Sequence, residues 1–178
     1  MSSLQKFHRR TNGGGPVVKL IGSEAPVAGA GFYLGFAGDG TSYMYVDPTG
    51  AYGLQYGSNT VFRGTISTTN GIANTNTLYS FGSAAHPAAY YCKTLTTGGY
   101  NTWYMPAINE LRMLYTCRNA TPFSTNNGFP GSYHNSSTEN PGEVHGCYIV
   151  HFGLGIGNDI YTKARSNLYT RAVRRALI

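Results

Sequence analysis

Charge is what this sequence has least of. Only 11% of its 178 residues are Asp, Glu, Lys or Arg, against about 25% in an average soluble protein, and lysine is nearly absent, which is not the composition of a typical cytosolic enzyme. Long apolar runs are also missing. No stretch approaches the ~20 residues needed to span a bilayer, so membrane insertion is not expected. The opening "MSSLQKFHRRTNGGG" has no apolar signal segment, so export by that route is not expected either. Cysteine is scarce and unpaired in pattern: Cys92, Cys117 and Cys147 lie 25 and 30 residues apart and form no CxxC or Cys/His ligand group, which argues against a thiolate metal site. An odd number of cysteines fits folding in a reducing cytoplasm, with each thiol packed as a small apolar core residue.

What is present is glycine (24), tyrosine (15) and a 41% hydrophobic fraction. That is enough apolar surface to exclude general disorder, and the length suits one domain with an arm. The net charge of +6 is unevenly placed. Nine of the thirteen basic residues lie before residue 20 or after residue 162, and between those limits four basic residues face seven acids, leaving the body at −3. A basic surface for nucleic acid is therefore not expected, because "KFHRR" is thinner than a phosphate-binding run.

Residues 1 to about 20, built around "NGGGP", read as a flexible arm. "GFYLGFAGDGTSYMYVDP" places two aromatic runs around a Gly/Asp turn and predicts a β-hairpin over 31–46. Residues 51 to 82 lack periodicity and read as loops with short strands. Two helices are expected. "HPAAYYCKTLTTGG" carries Pro87 in its first turn, Gly98-Gly99 as its stop and a face of Ala88, Tyr91, Cys92 and Leu95; "PAINELRMLYTCRN" carries Pro106 in its first turn and a stripe of Ile108, Leu111, Leu114 and Tyr115. Asn119 to Pro141 reads as polar and turn-rich. "CYIVHF", a glycine-rich turn "GLGIGND" and "LYTRAVRRAL" read as closing antiparallel strands.

Three segments in order resemble the DUF1566 family, also called the Lcl C-terminal domain. "GGYNTWYMPAINELRMLY" (98–115) is similar to its GGY…W…P…EL signature, "YHNSSTEN" (133–140) to its "YWSSTE" element, and "CYIVHF" with "LYTRAVRRAL" to its closing strand pair. The likeness runs over roughly residues 28–175. It implies an α+β, C-type-lectin-like domain over 28–178, with two short helices, small antiparallel sheets and long loops, preceded by an arm over 1–27. The positions that match are Gly98, Gly99, Trp103, Pro106, Glu110, Leu111, Ser136, Ser137, Thr138, Glu139, Arg171 and Arg174. From the resemblance we expect Trp103 as an apolar anchor between the helices and at least one Glu–Arg pair, with Glu110 and Arg174 the pair to test, tying the closing strand to the helix or to the "SSTE" turn. Where the family has Arg and Leu after the tryptophan, this chain has Tyr104 and Met105, and the Trp of "YWSSTE" is replaced by His134 or Asn135.

His134 and His145 with Glu139 and Glu143 form the nearest approach to a metal or acid–base cluster. The paired loop motifs of calcium-dependent sugar binding are missing, however, and loop decoration is the reading preferred; no metal or cofactor is expected. The related formylglycine-generating enzymes use paired cysteines, whereas Cys92 and Cys147 sit in apolar segments, and "GLGIG" lacks the lysine of a phosphate loop. An enzyme is not expected. Loops rich in Asn, Tyr, Ser and His are good recognition surfaces, and Tyr133, His134, Asn135, Asn158 and Asp159 form the candidate receptor surface. The alternative, that such composition reflects only a loop-heavy fold, carries equal weight. What the resemblance implies is a phage virion structural protein on a tail fibre, baseplate or head surface, docked on other virion proteins through Lys6, Arg9 and Arg10. It is expected to be a homo-oligomer, with a host-surface glycan or protein as the candidate contact. A bacterial surface adhesin is the alternative, and a formylglycine-generating-type enzyme a distant third.

Overall fold

The computed structural model describes residues 7–11, 14–19, 31–58, 61–119 and 129–177. Where the sequence reads as a flexible arm, β1 (Phe7–Thr11) and β2 (Gly14–Lys19) pair as an antiparallel hairpin. The next hairpin is as expected. β3 (Phe32–Phe36) and β4 (Ser42–Val46) are joined through a turn in which Asp39 Oδ1 accepts from the N–H groups of Thr41 and Ser42 at 2.9 and 3.0 Å. Gly40, with φ of +67°, supplies the left-handed residue of that turn.

After the short strand β5 (Ala51–Tyr52) comes a helix that the hydrophobic pattern does not announce, α1 (Gly71–Tyr79). Its buried face is Gly71, Asn74, Thr75 and Leu78, with one large apolar side chain among them, so no 3.6-residue apolar stripe exists to be read. Its start is marked by Asn70, whose side chain caps Ala73 N at 3.0 Å. α2 (Pro87–Thr94) has Pro87 in its first turn as expected, but it ends before the paired glycines. Gly98 and Gly99, at φ of +64° and +78°, instead shape a separate 3₁₀ turn, Thr97–Gly99. α3 (Ile108–Cys117) begins two residues after Pro106, which therefore leads into the helix and is not part of its first turn. Among the described residues, three α-helices stand where two were expected.

The polar stretch before Pro141 contains a strand, β6 (Tyr133–Glu139), and its "SSTE" residues are buried strand and not turn. β7 (Gly146–His151) is followed by β8 (Gly155–Thr162), so most of the expected glycine-rich turn is strand. β9 (Tyr169–Thr170) and β10 (Val173–Leu177) end the described chain. β7 and β10 do not pair with each other. One sheet has the order β10-β4-β3 and the other β5-β9-β6-β7-β8, antiparallel except where β6 and β9 meet in parallel.

β7 divides the core. On one side Val150, followed by Phe152 just past the strand, packs with Ile108, Leu111 and Leu114 of α3 and with Leu34, Met44, Val46 and Val173 of the smaller sheet. Cys147 and Ile149 pack with Leu78, Ala88 and Cys92 of the other two helices and with Tyr56, Trp103 and Met105. All three cysteines are buried and free, as expected. Trp103 is fully buried, its indole N–H donating to Thr97 O at 3.1 Å, and the backbone of Gly31 passes so close that a Cβ there would lie 2.9 Å from the ring. The architecture is α+β.

Candidate functional site

The two glutamates singled out by sequence anchor two buried polar networks. Glu139, at the end of β6, is fully buried. Its carboxylate accepts from Arg63 N at 2.9 and 3.0 Å and from Thr65 N at 3.1 Å, and it pairs with the fully buried Lys163 at 2.5 Å. The Lys163 ammonium donates a further bond to Val61 O at 3.0 Å. One carboxylate thus joins the 61–65 segment, β6 and the loop after β8. The rest of β6 works in the same way through neutral groups: Ser136 Oγ donates to Tyr148 O, Thr138 Oγ1 donates to Ser67 O and accepts from Ile108 N, and Asn135 Nδ2 donates to Leu54 O. Each of these replaces a hydrogen bond to water that burial removes.

Glu110 lies in the first turn of α3 and reaches back to Ala107 N at 2.8 Å, which suits both the unsatisfied N–H groups and the positive end of the helix. It also accepts from Gly71 N at 3.1 Å and from the Tyr104 hydroxyl at 2.8 Å, and pairs with Arg175 at 2.6 Å. Arg175 in turn reaches Asp39 at 2.8 Å, Thr69 O at 2.8 Å and Tyr104 Oη at 3.0 Å. Burial works against its charge, but the hydrogen bond to Glu110 and the carboxylate's field win, and the guanidinium pKa is raised. Burial, followed by the charge of Glu110, raises the Tyr104 hydroxyl pKa.

The expected Glu–Arg link between helix and closing strand therefore exists, with a different arginine. Arg174 points to the other face of β10, where its guanidinium lies 3.8 Å from the Tyr100 ring, 4.4 Å from Tyr45 and 5.5 Å from Trp103. Alternation along a strand sends neighbours to opposite faces, so a one-residue error in choosing the partner changes its whole environment. Arg171 donates to Asp47 O at 3.1 Å and lies over Phe129 at 4.9 Å. The missed members, Lys163 and Arg175, had a signal: each is a basic residue in a strand or beside one, in a chain with few charges.

Two of the candidate receptor residues are interior. His134 and Asn135 are fully buried. His134 bonds Ser132 O through Nδ1 at 3.1 Å, and its ring stacks on Phe152 at 3.9 Å and Tyr169 at 5.4 Å. Burial, reinforced by repulsion from Arg171, pushes its imidazole down to about 3. Tyr133 is half-buried against His151 and Tyr161. Asn158 and Asp159 fall in β8, and Arg9 and Arg10 in β1, where the backbone alone is described; Lys6 lies outside the described residues. Among the described residues no three His, Cys, Asp or Glu side chains gather as a metal would require, and no helix is long and apolar enough to cross a membrane.

The order of these elements, from the tyrosine of β5 through the Trp103 anchor and the "SSTE" strand to β10, is matched by the family model of the Lcl C-terminal domain over residues 51–174. The chain belongs to the Lcl C-terminal domain family. No curated protein and no solved structure matches it. The match begins after the β3–β4 hairpin, where the sequence resemblance starts earlier, at about residue 28. In this Lcl C-terminal domain the segment ahead of the matched region still completes a sheet, since β4 pairs along the whole of β10.

Proposed function

We propose that this Lcl C-terminal domain is a structural component of a phage virion, carried on a tail fibre, baseplate or head surface, with a lectin-like body that faces outward and touches the host surface. Residues 1–27 dock it on another virion protein, and several copies assemble together. The observation that supports this reading best is the use made of Glu110 and Glu139. Each spends its carboxylate on backbone N–H groups and a basic side chain that hold distant segments together, which suits a scaffold for recognition loops. Three of the five basic residues after residue 162, Lys163, Arg171 and Arg174, are buried, which supports a structural use of that charge over a phosphate-binding one.

Mass spectrometry of purified particles tests the reading. The chain is expected in intact virions at a stoichiometry fitting a symmetric oligomer, and its absence from them would remove the proposal. Recovery in a bacterial cell-surface fraction would favour an adhesin. Receptor contact is checked separately: the full chain, added to host cells, should bind them and reduce adsorption of the phage.

A further inference from the structure

Two parts of the chain each lack what the other has. β1 and β2 form a sheet of their own, and among the described residues neither packs on another element as it packs on its partner. A lone two-stranded hairpin is marginally stable at best in water, and a third strand is the usual remedy. β8 is the complementary case. It lies at the edge of the larger sheet and is the longest strand described, at eight residues.

The other edges of the body are blunted. β5 is two residues long, β3 is interrupted by a register shift before Gly35, and β10 exchanges two backbone bonds with Tyr104 at 2.8 and 2.9 Å. Shortness, bulges and cover are the common ways of keeping an edge from pairing. Among the described residues β8, "GIGNDIYT", has none of them, and it contains no proline or lysine. Leu154 just before it is 84% exposed, and Ile160 within it 41%.

Charge selects the occupant. The charged residue of β8 is Asp159, whereas β1 carries Arg9 and Arg10. In a central register, β8 beside the β8 of a second copy sets acid near acid, and β1 beside a second β1 sets arginines together; both are unfavourable, and β1 beside β8 is not. Within the hairpin β1 is also the strand with an N–H at every position, since β2 contains Pro16. Residues 20–31, between β2 and β3, can span up to about 40 Å. That is enough to carry the hairpin past its own body to a neighbour.

We propose that the β1–β2 hairpin of one copy adds to the β8 edge of the next, with β1 as the joining strand, so that the five-stranded sheet is continued by the neighbour's two. Each copy then gives one hairpin and receives one, a head-to-tail contact that closes into a ring. The inference rests on the reading above that several copies assemble, and it names the arm's partner as a neighbouring copy. Light scattering on the full chain at about 100 µM should show an oligomer, and hydrogen exchange should show the amides of 155–162 more protected there than after dilution. Asp159→Lys, and separately Arg9→Asp with Arg10→Asp, should each weaken association at least tenfold with an unchanged circular dichroism spectrum. Combining all three changes should restore it. The arginines lie outside the matched region, 51–174, so their variant tests the contact without touching the fold of β8. A monomer at that concentration, an oligomer indifferent to Arg9→Asp with Arg10→Asp, or a triple variant that stays dissociated overturns the proposal. A monomeric chain found in virions removes the hairpin contact and leaves the virion reading; a ring formed by a chain absent from virions does the reverse.

Discussion

A carboxylate sealed from water keeps its charge only if its surroundings replace the hydration it loses, and Glu139 has backbone N–H groups and the Lys163 ammonium to do so. Removing one partner leaves the other charge stranded. Lys163→Met is expected to cost about 3–5 kcal/mol in urea unfolding, and Glu139→Gln combined with it much less than the sum of the two single changes. At the other network, a double-mutant cycle separates the two neighbouring arginines. Glu110→Gln and Arg175→Met should couple by about 1 kcal/mol or more, whereas Glu110→Gln and Arg174→Met should add to within about 0.5 kcal/mol. Coupling through Arg174 in place of Arg175 would contradict the geometry of β10. The identity of the glutamates was legible in the sequence because they fall in the family signature. Arg175 was not, because a strand's alternation decides which of two adjacent arginines faces Glu110, and nothing local to "RRAL" sets that register.

Among the elements, those with strong local signals were readable. The "AGDG" hairpin declares itself through its turn residues and α3 through its apolar stripe, and both are where the sequence puts them. α1 and β6 were hidden for a common reason: their buried faces are amides and hydroxyls, Asn74 and Thr75 in one and Asn135, Ser136, Ser137 and Thr138 in the other. Such residues normally mark loops, and only tertiary partners make them interior. Gly71 is the hinge of this arrangement. Its missing side chain lets the start of α1 abut the start of α3, where a Cβ would meet Glu110 Oε2 at 2.4 Å, Ala107 N at 2.6 Å and Met105 O at 2.7 Å. Two of these atoms are backbone and cannot give way, so Gly71→Ala should destabilise by about 1–3 kcal/mol. This is despite the better helix propensity of alanine, which by itself would raise stability. A thermal melt checks the sign.

For the molecule as a whole, acid is the condition that tests the interior. His134 is neutral when folded, with its pKa driven by burial to about 3 from the ordinary 6.5 of a solvated imidazole, and burial also lowers that of His86. Between those limits the unfolded chain binds protons that the folded one does not. Each histidine's contribution is therefore fully present above about pH 6.5 and is lost as pH falls, with a slope of at most about 1.4 kcal/mol per pH unit. Unfolding free energies measured from pH 7 to 4 should decline, and His134→Phe, which keeps a ring in the stack, should flatten the decline. An unchanged slope in that variant would show that His134 does not carry it.

The polar interior of β6 has one further consequence, which concerns heat. Unfolding normally raises the heat capacity because apolar surface meets water, and exposing amides and hydroxyls works in the opposite direction. A domain that buries Asn135, Ser136, Ser137, Thr138 and the Glu139–Lys163 ion pair alongside its hydrophobic clusters should gain less than the usual ~12–15 cal/mol/K per residue on melting. Its stability curve should therefore be broad and shallow, holding a modest free energy over a wide span of temperature, and differential scanning calorimetry would show it directly.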